Sequence, residues 1–317
     1  MKAKGILLIL GGVLLLAGVT IVCIAFSLHG FNVSMMSTQA MVTNTFEISD
    51  PFDNINIEGD TEDLVFERST DGKCTVVCYE YEEQPHSVTV ENGRLNISIL
   101  PGSYLHFGII TESPKTTVYL PGETYKNLTI DTDTGDVDLP KDFSFSSLHI
   151  QSDTGDVNCL ASADTDITIA TQTGRIRLAD ITASSAILTS DTGRMELSGV
   201  DLTGALDITE DTGDVTLKNV KAASLKSDGD TGEILLTNVT ASGEFRIKRT
   251  TGDVTFDGSD AEAVYVTTDT GDVKGTFLTD KVYITKTDTG SVDVPGSTSG
   301  GRCEITTDTG DIKLSVK

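Results

Sequence analysis

The 317-residue chain has no tryptophan, only four histidines and five cysteines, and 23 basic residues against 48 acidic ones. Each shortage excludes something. With no tryptophan and few aromatics at outward positions of the repeat described below, stacking subsites for sugars are scarce. A formal charge of −25 disfavours nucleic acid and anionic membrane surfaces as partners, because both are polyanions. His29, His86, His106 and His149 share no metal-ligand or triad spacing. No Gly-x-Ser-x-Gly, phosphate-binding loop or zinc signature is present. Cys74 and Cys78 lie four apart on a predicted strand. That places their Cα atoms about 13 Å apart, against the roughly 7 Å a disulfide tolerates. Cys159 and Cys303 fall at inward positions of the repeat, where a free thiol acts as a small hydrophobe, and Cys23 lies in the apolar N-terminus.

What the sequence does have is a period. A Thr-Gly step recurs at Gly135, Gly155, Gly174, Gly193, Gly213, Gly232, Gly252, Gly271, Gly290 and Gly310, at intervals of 19 or 20 residues. Aligned on that glycine, apolar residues fall seven and five before it and two and four after it. Examples are Leu128, Ile130, Val137, Leu139 and Leu206, Ile208, Val215, Leu217. A spacing of two is strand periodicity, with alternate side chains on one face. The glycine marks a bend between two short strands. Small or branched residues seven and nine after it, such as Ile181 and Ala183 or Val200 and Leu202, predict a third inward side. The one-residue variation in length falls in the return arc, where it leaves the strand register intact. Units this short bury their apolar faces only by stacking, so the pattern predicts an all-β parallel β-solenoid of 19–20-residue coils. The Leu-x-x-Leu-x-Leu consensus of leucine-rich repeats is absent. A propeller blade would need two copies, and alternate copies do not differ.

Residues 1–29 read as a transmembrane anchor. Lys2 and Lys4 precede 24 uncharged residues, Gly5 to Leu28, which as a helix span about 36 Å. The positive flank orients the N-terminus to the cytoplasm and the rest of the chain outward, a single-pass placement in the cell membrane. The competing reading is a processed leader, for which Thr38 and Ala40 are the nearest small residues; Val22 before Cys23 argues against lipidation. Residues 30–45 read as a spacer, 46–125 as irregular opening coils, and 126–317 as the ten-repeat solenoid. Within the opening, Ile55, Ile57, Leu64 and Phe66 fit the apolar template with Glu62 in the glycine position, and Glu91-Asn92-Gly93-Arg94 predicts a hairpin turn. The last repeat, with Gly310, Ile312 and Leu314, is expected at the open end of the stack. There Lys313 and Lys317 would guard the edge, or the edge would take a partner strand or support end-to-end self-association.

The acidic residues form the one constellation with chemical content. Two before the glycine stand Asp133, Asp153, Asp191, Asp211, Asp230, Asp269, Asp288 and Asp308; one after it stand Asp136, Asp156, Asp214, Glu233, Asp253, Asp272 and Asp311. Stacking would bring equivalents to about 4.8 Å, giving two carboxylate ladders. Such oxygens could hold calcium; the four pairs Asp133/Asp136, Asp153/Asp156, Asp211/Asp214 and Asp269/Asp272 are the candidates. Equally, they could be solvated turn carboxylates accepting backbone N–H groups. Gln172, Arg175, Arg194, Thr250 and Ser291 interrupt the ladders. Two functions follow: a non-catalytic structural or binding module, or a polysaccharide-active β-helix enzyme using Arg175 and Arg194 beside Asp153, Asp156 and Asp191. An accessory regulator of a membrane sensor is a third, without a motif of its own.

Phe-Asp-Asn-Ile-Asn-Ile at 52–57, Gly-Arg-Leu-Asn-Ile at 93–97 and Val-Tyr-Leu-Pro-Gly-Glu-Thr-Tyr-Lys-Asn-Leu at 118–128, followed by repeated Thr-Gly-Asp-Val, carry a family resemblance. Residues 46–317 resemble the bacterial adhesin-like family of domain of unknown function 4097, which includes LiaG-like envelope proteins. The resemblance implies a β-solenoid on a membrane anchor, linked to adhesion or to the envelope-stress response, with no catalytic set to carry over.

Overall fold

The computed structural model describes residues 2–28, 40–101 and 113–317. The spacer residues 30–39, His29 and His106 lie outside these. Helix α1 (Lys2–Leu28) comes first, and its described side chains, residues 11–24 and 27, are all exposed. Among the described residues no helix is long and apolar enough to cross a membrane.

From Asn127 to Thr270 the chain winds as predicted. Leu128, Leu148 and Ile167 stand in register on successive parallel strands, as do Ile130, Ile150 and Ile169. After the bend Val137, Val157 and Ile176 align in the same way. All nine are buried, and so are Ile181, Val200, Val220 and Val239 of the third side. Strand alternation puts one further position inward, three before each glycine. It carries a column of buried polar residues: Thr132, Ser152, Thr171, Ser190, Glu210, Arg249, Thr268 and Thr307.

The bend needs glycine for a steric reason. A Cβ on Gly155 would lie 2.0 Å from the carbonyl oxygen of Gly135, and one on Gly232 would lie 1.7 Å from that of Gly213. The coils approach so closely here that each glycine N–H reaches a threonine carbonyl of the next layer, as Gly155 does with Thr173 at 2.9 Å. A second corner follows six residues later in a left-handed conformation. Asp180, Asn219 and Asn238 adopt φ of 53–54° there, and Gly199 and Gly258 occupy it in other coils. Asn and Asp tolerate that region better than other residues with a Cβ.

The N-terminal end is built by strands β1 (Met41–Ile48), β2 (Asn54–Glu58), β3 (Asp63–Arg68), β4 (Cys74–Tyr81), β5 (His86–Glu91), β6 (Arg94–Ile99), β7 (Lys115–Leu120), β8 (Thr124–Thr134) and β9 (Val137–Leu139). β1 begins inside the stretch expected to be a spacer, because residues 41–48 pair antiparallel with β4. Ile55, Ile57 and Leu64 stack directly under Leu128, Ile130 and Val137. Glu62 lies beneath Gly135, at the foot of the glycine column. β6 and β7 lie below that coil, and β5 and β4 close them antiparallel. The β5–β6 hairpin turns at Asn92 and Gly93, both with positive φ, as the sequence predicts.

The C-terminal end departs from chain order. Strand Gly301–Thr309 pairs on one side with Val264–Thr270 and on the other with Lys281–Thr289. The last repeat is therefore slotted inside the stack, and the preceding one forms the outermost layer. The expectation that Gly310, Ile312 and Leu314 mark an open end guarded by Lys313 and Lys317 is corrected here. Ile312 is buried between Val273 and Val292, and the exposed apolar residues of the end are Ile284 and Val292. A buried lysine holds this order. Lys281, on the outer layer, donates to Asp260, to the Ala261 carbonyl at 2.7 Å and to Thr279 at 2.9 Å. To do so it passes Gly301 of the inserted layer, where a Cβ would sit 3.4 Å from its Nζ.

Candidate functional site: the acidic face at the glycine bend

Both carboxylate ladders exist, side by side along one face, with side chains exposed or half-buried. The row after the glycine is organised by the backbone. The N–H of Asp156 donates to Asp136 Oδ1 at 2.8 Å, that of Arg175 to Asp156 at 2.8 Å, and that of Glu233 to Asp214 at 3.1 Å. Asp272 donates to Asp253 at 2.9 Å, Asp311 to Asp272 at 2.8 Å, and Ser291 to Asp311 at 2.7 Å. At these six steps a peptide donor reaches the carboxylate of the neighbouring layer, which offsets the repulsion of like charges stacked this closely. The hydrogen bonds from the N–H and hydroxyl of Ser291 hold the Asp311 carboxyl below the usual carboxylate range. At Asp253 desolvation pushes upward, but Lys274 at 2.6 Å and the Asp272 N–H outweigh it, leaving the group below its ordinary value.

The residues that interrupt the ladders bind them. Arg175 pairs with Asp156 at 3.0 Å, and Arg194 with Asp214 at 3.6 Å and Glu196 at 3.8 Å. Gln172 donates to Asp153 at 2.6 Å and Thr250 to Asp230 at 3.3 Å. Both arginines invoked for a lyase-like site are therefore engaged in exposed ion pairs on an open face. Asp133, Asp153, Asp211 and Asp269 share one row and Asp136, Asp156, Asp214 and Asp272 the other, but no three ladder side chains bring ligand atoms within 4.8 Å.

Two buried polar groups escaped the sequence reading. Arg249 crosses the layer of Ser227 and Gly229 to face Glu210 at 3.5 Å, and donates to Ser227 Oγ at 3.0 Å. A Cβ on Gly229 would lie 2.1 Å from Arg249 Nη1, so that glycine makes room for the side chain. Burial pushes Glu210 up to about 7, with Arg249 opposing and Asp214, Asp211 and Asp230 adding to the rise. The signal was the polar residue three before glycine, which alternation places inside. The second group is His86 at the N-terminal end. Its Nε2 lies 3.0 Å from Glu62 and 3.3 Å from Thr116 Oγ1, and its Nδ1 contacts Glu80. Desolvation alone would lower it, but contacts with Cys78 and Glu62 prevail and push the imidazole up to about 11. His149 is exposed, and all four described cysteines of the body are buried free thiols.

Comparison with solved structures gives similarity over most of the chain. A putative adhesin from Bacteroides fragilis NCTC 9343 is 15% identical, with 87% of this chain and 97% of that one covered and a TM-score of 0.42. A putative adhesin from Parabacteroides distasonis ATCC 8503 is 10% identical, covering 87% and 98%, with a TM-score of 0.46. A putative lipid binding protein from the same organism is 13% identical, covering 86% and 97%, with a TM-score of 0.25. No curated protein matches. The sequence profile of Toastrack DUF4097 matches residues 52–237 and 203–317, nearly all of the solenoid, and the chain belongs to that family.

Proposed function

We propose that the chain is a membrane-anchored, extracytoplasmic β-solenoid whose acidic face serves as a non-catalytic binding or structural surface in the cell envelope, adhesin-like or associated with envelope stress. The carrying observation is the ladder itself. The carboxylates of Asp136, Asp156, Asp214, Asp253, Asp272 and Asp311 are each fixed by an N–H group of a neighbouring layer, so the face is an ordered array of negative charge. Such an array suits multivalent contact with cationic groups better than chemistry at one point. The anchor is supported by the uncharged stretch Gly5–Leu28 behind Lys2 and Lys4.

The test uses Asp269→Cys, a thiol on the exposed ladder, in the full chain expressed in a bacterial host. A membrane-impermeant maleimide should label it in intact cells, above the background of the parent, whose body cysteines are buried and whose Cys23 would lie within the membrane. The protein should also stay with membranes through an alkaline wash. Labelling only after lysis, or release by the wash, overturns the placement.

A further inference from the structure

The corner occupied by glycine in the repeating coils is, at the N-terminal end, filled by a buried cluster. Cys78 and Glu80 alternate on β4 and therefore face the same side, and the short turn after β4 delivers His86 at the start of β5. Three ligand atoms, one each from Cys78, Glu80 and His86, lie within 4.8 Å of one another, the one such set among the described residues. All are buried. Their surroundings are arranged. Glu80 Oε2 accepts the His86 N–H at 2.6 Å, while Oε1 accepts from the Asn44 amide on β1. On the far side of the ring Nε2 faces Glu62 Oε1 at 3.0 Å. Glu62 is itself pinned, its Oε2 accepting the N–H groups of Asp60 and Thr61 at 3.1 Å each.

We propose that Cys78, Glu80 and His86 form a zinc site that closes the N-terminal end of the solenoid. The ligands would be Cys78 Sγ, Glu80 Oε2 and His86 Nδ1. The ring's Nε2–H would donate to Glu62, the carboxylate–histidine–metal relay that fixes the tautomer of ligating histidines. Thiolate, imidazole and carboxylate together suit zinc and not the hard cations calcium or magnesium, which take oxygen ligands. Three protein ligands leave the fourth tetrahedral position to a solvent molecule. Any proton carried by the Cys78 thiol or by His86 Nδ1 leaves to solvent as the metal enters, so that the thiolate and the free Nδ1 lone pair bind it. The site would tie β4 to β5, which lie at the N-terminal end of the stack on adjacent sides.

The test uses the purified full chain, stripped with chelator and titrated with Co²⁺ and then Zn²⁺. One equivalent of Co²⁺ should give a thiolate-to-cobalt charge-transfer band with tetrahedral visible bands. One equivalent of Zn²⁺ should abolish both. Excess calcium should leave the spectrum unchanged. Cys78→Ser should lose the charge-transfer band, whereas Cys74→Ser should keep it. Glu62→Gln should keep the band with affinity weakened roughly 10–100-fold. Should Cys78→Ser fail to fold, the wild-type band and its stoichiometry still decide. Absence of a stoichiometric charge-transfer band from folded wild-type protein overturns the site, as does its persistence in Cys78→Ser.

Discussion

Replacing Gly232 with alanine tests the claim that the bend, and not the apolar core alone, sets the spacing of the coils. The new Cβ would stand 1.7 Å from the Gly213 carbonyl oxygen and 2.5 Å from its carbon, both backbone atoms that no rotamer change can move. The residue also sits at φ 143°, which alanine adopts only under strain. Relief requires the two layers to part by more than 1 Å at the bend, an order-of-magnitude reading of that overlap. Three bonds cross the same gap: Gly213 N–H to Thr231 at 2.8 Å, Val215 N–H to Glu233 at 2.9 Å, and Glu233 N–H to Asp214 at 3.1 Å. At about 1 kcal/mol each, with about 1–3 kcal/mol of backbone strain, the substitution should cost roughly 4–6 kcal/mol. The control is Gly296→Ala, where a Cβ meets nothing within 4 Å and φ is unrestricted. It should be neutral, or stabilise by up to about 1 kcal/mol. Urea denaturation of the full chain, followed by far-ultraviolet circular dichroism, reads both. Strain in a stack of near-identical layers can open locally, so hydrogen exchange at the Gly213 and Val215 amides is measured alongside. If Gly232→Ala and Gly296→Ala agree within about 1 kcal/mol and those amides stay protected, the steric account of the glycine column is wrong.

Two further outcomes separate inside from outside. Ile208→Asp places a charge at a 1% exposed position and should cost about 3–5 kcal/mol, while Asp211→Asn on the exposed ladder should be neutral or slightly stabilising; equal melting temperatures would refute the assignment of faces. Glu210 gives a pH signature. Its folded value, about 7, stands above its ordinary 4.5, so the folded chain holds that proton more tightly than the unfolded one, and stability falls as pH rises from about 4.5 through 7. Relative to wild type, Glu210→Gln should remove a decline on the order of 2 kcal/mol across that window; parallel stability–pH curves for the two proteins would show that Arg249 already keeps Glu210 ionised.

The repeating part of this fold was legible because two independent constraints carry the same period. Leu128 and Ile130 mark the face, and Gly135 marks the one place where a Cβ collides with the layer beneath. The inward polar column left no apolar mark. Thr132, Ser152, Thr171 and Ser190 stand three before glycine, and the alternation that buries the positions seven and five before it buries this one too. The ladders were legible as rows, but not the peptide N–H between successive carboxylates, since a donor common to every residue leaves no mark in the sequence. His86 was invisible for another reason. Its partners Glu62, Cys78 and Glu80 come from a turn and a neighbouring strand in a part of the chain without a repeat. The available clue was the acid standing where later coils have glycine.

The order of layers at the C-terminal end shows a deeper limit, and also how to pass it. A repeat specifies what a coil presents to its neighbour but not which copy that neighbour is, because every interior copy presents nearly the same surface. Discrimination must come from the copies' differences. The copy around Gly290 offers Tyr283, Thr285, Val292 and Val294 at its template positions, whereas the copy around Gly310 offers Cys303, Ile305, Ile312 and Leu314. An outermost layer is covered on one side only, so the cheaper copy to leave there is the one with less apolar surface to hide. Each fully buried Ile or Leu contributes about 2 kcal/mol relative to exposure, which favours placing the second copy inside. The swap has a pin as well. Lys281 reaches past Gly301 to Asp260 and Ala261, as Arg249 reaches past Gly229 to Glu210, and in each case a glycine in the intervening layer gives the cation its passage. Inverting the last two layers would set Lys281 directly against the layer of Asp260 and take away the passage beside Gly301 through which its side chain now extends. Apolar content and a cation aligned with a glycine together select one stacking order from copies that the period alone treats as equal.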